Sequence, residues 1–327
     1  MPFRVEQLSR SCPDLRMAVP STYRARIWAT TSPAAACLLT TLLPLLLALS
    51  LPAQQLQPSG SADPPSPLFT QVIANQKQSE TELDQYERLQ RTEVRRSGSD
   101  PNPAELKVWR VFPTGTGTAK FDLSPDGKPP NLEAYRAQLE RVESYLIWVL
   151  QDGAAQKDAY ARTERKRKER FDLIEATHEA FLFTLDGKET RDGRTLLRYL
   201  MRPNPNYRPT TRNAALFTHV QGTLWVDEKT SELAKVDGVV TEDISLALFL
   251  AKVYKGSHFM QERYEIAPGI WEPTFEQYDF DGRKFLRPFS IHERTFYSEY
   301  KHVGPPSEAI RVVRTELSKL GAEAPHP

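Results

Sequence analysis

The chain has 327 residues, with 43 basic and 42 acidic side chains and a formal net charge of +1. Five of the basic and two of the acidic residues fall in the first 53 positions, so the remainder carries a net charge of −2. A balance this close to zero supplies no long-range field for a polyanion, and no nucleic-acid partner is expected.

An uncharged stretch, Ile27 to Ala62, follows Arg4, Arg10, Arg16, Arg24 and Arg26. Its densest apolar part, Leu38 to Leu51, is short against the roughly 20 residues that span a membrane. Small residues close it at Ala48, Ser50 and Ala53. A basic start, a short apolar core and a small-residue exit predict a signal peptide over 1–53. Cleavage is expected near Ser50 or Ala53, with Met17 as a second candidate start. The rest is then periplasmic; an uncleaved membrane anchor is the competing reading and places it on the same side. Export sets aside ATP-driven chemistry. The two cysteines, Cys12 and Cys37, both lie in this leader, so the exported part must hold together without disulfides. Cys37 precedes the apolar run rather than following it, which argues against lipid attachment there.

Residues 54–66 are rich in Pro, Ser and Gly and predict a flexible linker. Residues 67–172 read as a helix-rich N-terminal region with a short β-hairpin. Leu68, Val72, Leu83, Tyr86 and Leu89 predict a helix from Pro67 to about Leu89. Leu106 to Phe112 and Ala119 to Leu123 predict two strands around a loop at Gly115-Thr116-Gly117. Asn131 is a candidate N-cap for a helix carrying Leu132, Leu139, Val142, Leu146, Val149 and Leu150. Asp152-Gly153 ends it, and a charged helix follows from Ala154 to about Asp172.

Residues 173–304 change texture. Short segments rich in Val, Ile, Phe, Tyr, Trp and Thr alternate with turn signals. Strands are predicted near 175–186, 194–202, 214–226, 232–242, 257–267, 270–280, 283–289 and 291–300. The Asp-Gly pairs at 186–187, 192–193 and 281–282 read as hairpin turns, because both central positions accept positive φ. The apolar run Ile244 to Val253 fits a buried helix or a strand equally. Residues 305–327 form a C-terminal tail with a short helix. The fold class is α+β, and sequential hairpins of this kind form a meander that curls into a barrel or a half-barrel.

Catalytic and metal patterns are weak. His178-Glu179 and His292-Glu293 lack the second histidine of a zinc-protease motif, and both pairs fall in predicted strands, where neighbours face opposite ways. Gly115-Thr116-Gly117 lacks the lysine and third glycine of a phosphate loop. Asp279-Phe280-Asp281-Gly282 lacks the closing glutamate of a calcium loop and reads as a turn. No catalytic residue, metal or cofactor is assigned. The basic run Arg162 to Arg170 has two readings, contact with anionic lipid head groups or a solvated helix face with Glu–Arg pairs; the second is preferred. The aromatic residues of the β part serve as core or as the wall of an apolar ligand cavity.

Several segments in order carry a family resemblance: Pro203-Asn204-Pro205-Asn206-Tyr207, Gly222-Thr223-Leu224-Trp225-Val226-Asp227, Lys255-Gly256-Ser257-His258-Phe259, Gly269-Ile270-Trp271-Glu272-Pro273-Thr274 and Tyr300-Lys301. Over about residues 175–303 the chain resembles the outer-membrane lipoprotein-sorting, LolA-like family of periplasmic carriers. The resemblance implies an incomplete antiparallel β-barrel, a half-barrel covered by helices, whose apolar interior shelters acyl chains, with a lipid or an acylated lipoprotein as partner and no catalysis. The ligand-cavity candidates are Trp225, Phe249, Met260, Tyr264, Trp271 and Phe275. Two alternatives stand beside this: an envelope sensor that binds a partner protein through the same fold, and a secreted hydrolase with a dispersed active site.

Overall fold

A computed structural model describes residues 67–211, 213–246, 251–284 and 287–322. The leader and linker over 1–66, the candidate Phe249 and the last five residues, 323–327, lie outside the described residues.

Helix α1 runs Pro67–Glu82, and a short 3-10 turn at Leu83–Gln85 leads into strand β1, Tyr86–Val94. The expected helix to Leu89 is therefore too long. The physical reason lies in the position of β1 between two neighbours. It pairs with β2 (Glu105–Pro113) on one side and with β12 (Arg287–His302) on the other. Glu87, Arg88, Gln90, Thr92 and Glu93 are all buried there, so the strand carries no apolar alternation to read. Cross-strand polar pairs hold it instead, among them the Thr92 and Thr295 hydroxyls at 2.9 Å.

β2 and β3 (Thr118–Leu123) form the predicted hairpin, closed by the Thr114 amide donating to the Gly117 carbonyl at 2.9 Å. Helix α2, Leu132–Val149, starts where expected, because the Asn131 side chain accepts the Ala134 amide at 2.9 Å. Helix α3, Ala154–Ala180, continues eight residues past its expected end. It passes directly into β4, Phe181–Arg191, so His178-Glu179 lies on a helix and not in a strand. Ile174, Thr177, His178 and Phe181 explain this: they recur at the i, i+3, i+4, i+7 spacing of one helix face.

The remaining strands are β5 (Arg194–Pro203), β6 (Val220–Asp227), β7 (Leu233–Val240), β8 (Ile244–Leu246), β9 (Ala251–Val253), β10 (His258–Ala267) and β11 (Ile270–Lys284). The apolar run at 244–253 contributes the short β8 and β9, which pair with each other. A six-residue 3-10 helix, Ala214–His219, replaces the first half of the strand expected at 214–226.

Of the Asp-Gly pairs, only 192–193 makes a tight turn, with φ of 50° and 75° between paired Arg191 and Arg194. Asp186-Gly187 sits at a bulge inside β4. Asp281-Gly282 lies inside β11, which with β12 replaces the three strands expected over 270–300. Gly282 is there because the β9 backbone comes close: a Cβ would stand 2.1 Å from the Lys252 carbonyl oxygen.

All twelve strands belong to one antiparallel sheet, whose main path runs β3-β2-β1-β12-β11-β10-β7-β6-β5-β4. The path does not close, so the sheet is open, as a half-barrel is. It takes strands from both sides of position 173. Helix α4, Pro306–Ala322, packs with α2 against β2 and β3. Phe112, Phe121, Leu139, Leu146, Ile310 and Val313 form that core. No helix among the described residues is long and apolar enough to cross a membrane.

Leu139 is fully buried in this core, whereas Leu132 on the same helix is 60% exposed. Replacing Leu139 with Ala should lower the unfolding free energy by about 2–5 kcal/mol, from lost transfer energy and a residual cavity. Leu132→Ala should cost less than about 0.5 kcal/mol. Urea titration of both variants checks the contrast.

Candidate functional site

Two small compartments lie side by side between α1, α3 and the sheet. They share Gln76, Val236 and Phe259 in their walls.

The first is apolar. From α1 come Phe69, Val72, Ile73 and Gln76, again at i, i+3, i+4, i+7 spacing. Ile174, Thr177 and His178 come from α3, and the sheet adds Phe181, Phe183, Met201, Leu224 and Val236. The Phe69 ring stacks on Phe183 at 4.2 Å between centroids and meets Tyr199 edge-on at 5.1 Å. Burial lowers the His178 pKa, which favours the neutral imidazole in this apolar wall. The free volume is about 60 Å³.

The second compartment, about 70 Å³, is polar. Gln76, Arg88, Arg263, Glu276, Tyr297 and Tyr300 face it. Both Glu276 oxygens are engaged, one by the Gln261 amide at 2.9 Å and the other by the Tyr297 hydroxyl at 2.8 Å. Tyr300 donates to the Pro273 carbonyl. Arg170 pairs with Glu80 at 2.8 Å. Against this order, Arg88 Nη1, Arg263 Nε and Gln76 Nε2 are buried donors without a partner. Behind them Glu272 is fully buried, with neither carboxyl oxygen hydrogen-bonded and Arg263 Nη2 at 3.8 Å. Burial pushes its pKa up from 4.5 to about 8, with Arg263 opposing the shift.

A third concavity, larger than these two at about 960 Å³, lies at the other end between α2, α4 and the ends of β1 and β12. Its central group is spent on structure. Arg110 donates to Glu87 at 2.6 Å, to Glu316 at 2.6 Å and to the Tyr135 hydroxyl at 2.8 Å. Tyr135 in turn donates to Glu316 at 2.6 Å. Burial, with the Glu316 bond adding to it and Arg110 opposing, pushes the Tyr135 pKa up to about 12. This network ties four elements together, β1, β2, α2 and α4.

The five sequence candidates among the described residues are dispersed. Trp225 and Trp271 come together, but in a separate small core with Leu196 and Ala234. Arg194 lies 4.9 Å from the Trp271 ring and Lys235 lies 5.1 Å from that of Trp225. Tyr264 donates to Asp192 at 3.1 Å beneath the Arg191 guanidinium. Phe275 packs on Phe296 at 5.1 Å. Met260 borders the polar compartment. In the basic run, Arg167 binds Asp84 and Glu164, and Arg170 binds Glu80, while Arg162, Arg165 and Lys166 are exposed. Among the described residues no group of three or more His, Cys, Asp or Glu side chains could hold a metal.

No protein-family model and no curated protein matches the sequence. Three solved structures are similar in part. A LolA superfamily protein from Nitrosomonas europaea aligns with 73% of this chain and 96% of its own, at 11% identity and a TM-score of 0.30. A domain from Vibrio parahaemolyticus, described as an outer membrane lipoprotein-sorting protein, aligns over 75% and 97%, at 10% identity and a TM-score of 0.32. A DUF1329 family protein from Desulfovibrio piger aligns over 72% and 91%, at 10% identity and a TM-score of 0.23.

Glu272 has a consequence for stability. Its folded-state pKa lies above the unfolded value, so the folded protein keeps a proton that the unfolded chain releases. The resulting stabilisation is complete below about pH 4.5 and is lost as pH rises through about 8. Glu232, which burial pushes up to about 7, adds to the lower part of the window. Each group contributes a slope of at most about 1.4 kcal/mol per pH unit. Urea midpoints at pH 5, 7 and 8.5 should fall for the parent and fall less steeply for Glu272→Gln.

Proposed function

We propose that this chain is an exported, non-catalytic envelope protein that binds the acyl chain of a lipid or of a lipidated protein between α1, α3 and the sheet. One observation carries the reading. An apolar compartment on the sheet is closed on one side by Phe69, Val72 and Ile73, three side chains of one helix. An acyl chain can take the place of those side chains. Each buried CH₂ is worth about 0.8 kcal/mol, so a chain of a dozen carbons outweighs the ~1.5–3 kcal/mol that each displaced side chain had gained. The apolar leader and the absence of a cysteine after Cys37 fit a protein that works outside the cytoplasm. Exposed Arg162, Arg165 and Lys166 on α3 give it a surface for brief contact with anionic head groups.

A second reading is favoured by the same volume. The compartment's own side chains leave only about 60 Å³, as expected of a sensor that binds a partner protein without holding lipid.

Ile73 separates the two. It borders the compartment and is half-buried, so a carboxylate there can reach water while its charge faces an incoming chain. Ile73→Glu should weaken binding of a fluorescent fatty-acyl probe at least about tenfold, equivalent to ~1.4 kcal/mol, with an unchanged circular dichroism spectrum. A folded parent that does not take up the probe would leave the sensor reading.

A further inference from the structure

The polar compartment adjoining the apolar one is lined by three buried side chains that each keep one donor atom without a partner among the described residues, Arg88 Nη1, Arg263 Nε and Gln76 Nε2, while Arg263 Nη2 donates to the Trp271 carbonyl at 2.7 Å. Arg88 is 6% exposed, Arg263 5% and Gln76 6%, and all three line the same 70 Å³. Among the described residues Arg88 makes no ion pair; its guanidinium lies 5.8 Å from the Tyr297 ring. Its position is built. Glu87 pairs with Lys301 and Leu89 with Ser298, so Arg88 faces two residues of β12, Glu299 and Tyr300. Glu299 takes a φ of 51° to make this bulge. Bulges of this kind re-aim a side chain. A buried guanidinium left with an unused donor is costly unless an anion completes it.

The nearby acids do not complete it. Glu276 is taken by Gln261 and Tyr297, and Glu80 by Arg170. Glu272 makes no hydrogen bond and stands 3.8 Å from Arg263 Nη2; burial raises its pKa, and Arg263 and Arg88 oppose the shift without cancelling it.

We propose that this compartment reads the head group of the ligand: Arg88, Arg263 and Gln76 hold an anionic head, a carboxylate or a phosphate monoester, while the alkyl tail occupies the apolar compartment next to it. This rests on the acyl-binding reading above and adds the head-group chemistry to it. Gln76 stands in both walls and so marks the junction of head and tail. The small volume suits a compact anion and leaves no room for a sugar or a quaternary ammonium group. Guanidinium groups bind carboxylates and phosphates through charge-assisted hydrogen bonds.

The test is calorimetric titration of the full mature chain at pH 7 with four amphiphiles of equal tail: dodecanoate, dodecyl phosphate, dodecanol and dodecyltrimethylammonium. At least one of the two anions should bind about tenfold or more tighter than dodecanol, and the cation more weakly than dodecanol. Comparison of the two anions tells carboxylate from phosphate. Arg88→Met and Arg263→Met should each bring the anion-to-alcohol ratio to within about twofold. Gln76→Leu, which buries no charge, should reduce the ratio about threefold and serves where an arginine variant does not fold. Equal affinity for dodecanoate, dodecyl phosphate and dodecanol in the parent overturns the head-group inference alone. If none of the four binds, the acyl-binding reading falls as well. A preference that persists in folded Arg88→Met and Arg263→Met variants also overturns the inference, with Glu272 then left as the internal partner of Arg263.

Discussion

An open antiparallel sheet with apolar residues on one face must set that face against something other than water. Between β4 and β10 this requirement falls on α1, through Phe69, Val72 and Ile73. The helix is short, 16 residues, and its remaining ties are polar. Asn75 donates to the Thr230 and Ser231 carbonyls at 3.0 and 3.1 Å, and Ser79 to the Trp271 carbonyl at 2.9 Å. Lys77 pairs with Glu175 and Glu80 with Arg170. Each such hydrogen bond is worth about 0.5–1.5 kcal/mol net, and exposed ion pairs less. An element held this way can exchange with an apolar ligand at moderate cost. The proposed function depends on that balance.

The opposite end of the sheet is built differently. There α2 and α4 enclose a continuous core with β2 and β3, and Arg110 closes a network of four hydrogen bonds through Glu87, Tyr135 and Glu316. One end thus anchors the strands, and the other carries the donor atoms of Arg263 and Gln76 that have no partner among the described residues. Arg88 lies at the border between them, on the strand that joins the two regions.

Elements whose local chemistry agrees with their tertiary role were legible in the sequence. Asn131 caps α2, and Asp192-Gly193 makes its turn, because nothing distant overrides either. β1 was not legible, since a central strand lined by Glu87, Arg88, Gln90 and Glu93 presents no hydropathy pattern. Asp281-Gly282 misleads for a tertiary reason: its glycine answers to the backbone of β9 and not to a turn. The site was partly hidden for a similar reason. The large tryptophans stand out in composition, yet Trp225 and Trp271 pack with Leu196 and Ala234. The residues that line the compartment announce themselves only by spacing, at 69, 72, 73 and 76 and again at 174, 177, 178 and 181. In both series polar residues break the stripe, Gln76 in one and Thr177 and His178 in the other.

The most direct measurement is mass spectrometry of material extracted from the mature protein after purification from its native envelope without detergent. An acylated species at close to one per protein is the predicted result. A folded protein that carries no acylated species, and that takes none up from an added acyl donor, would contradict the account.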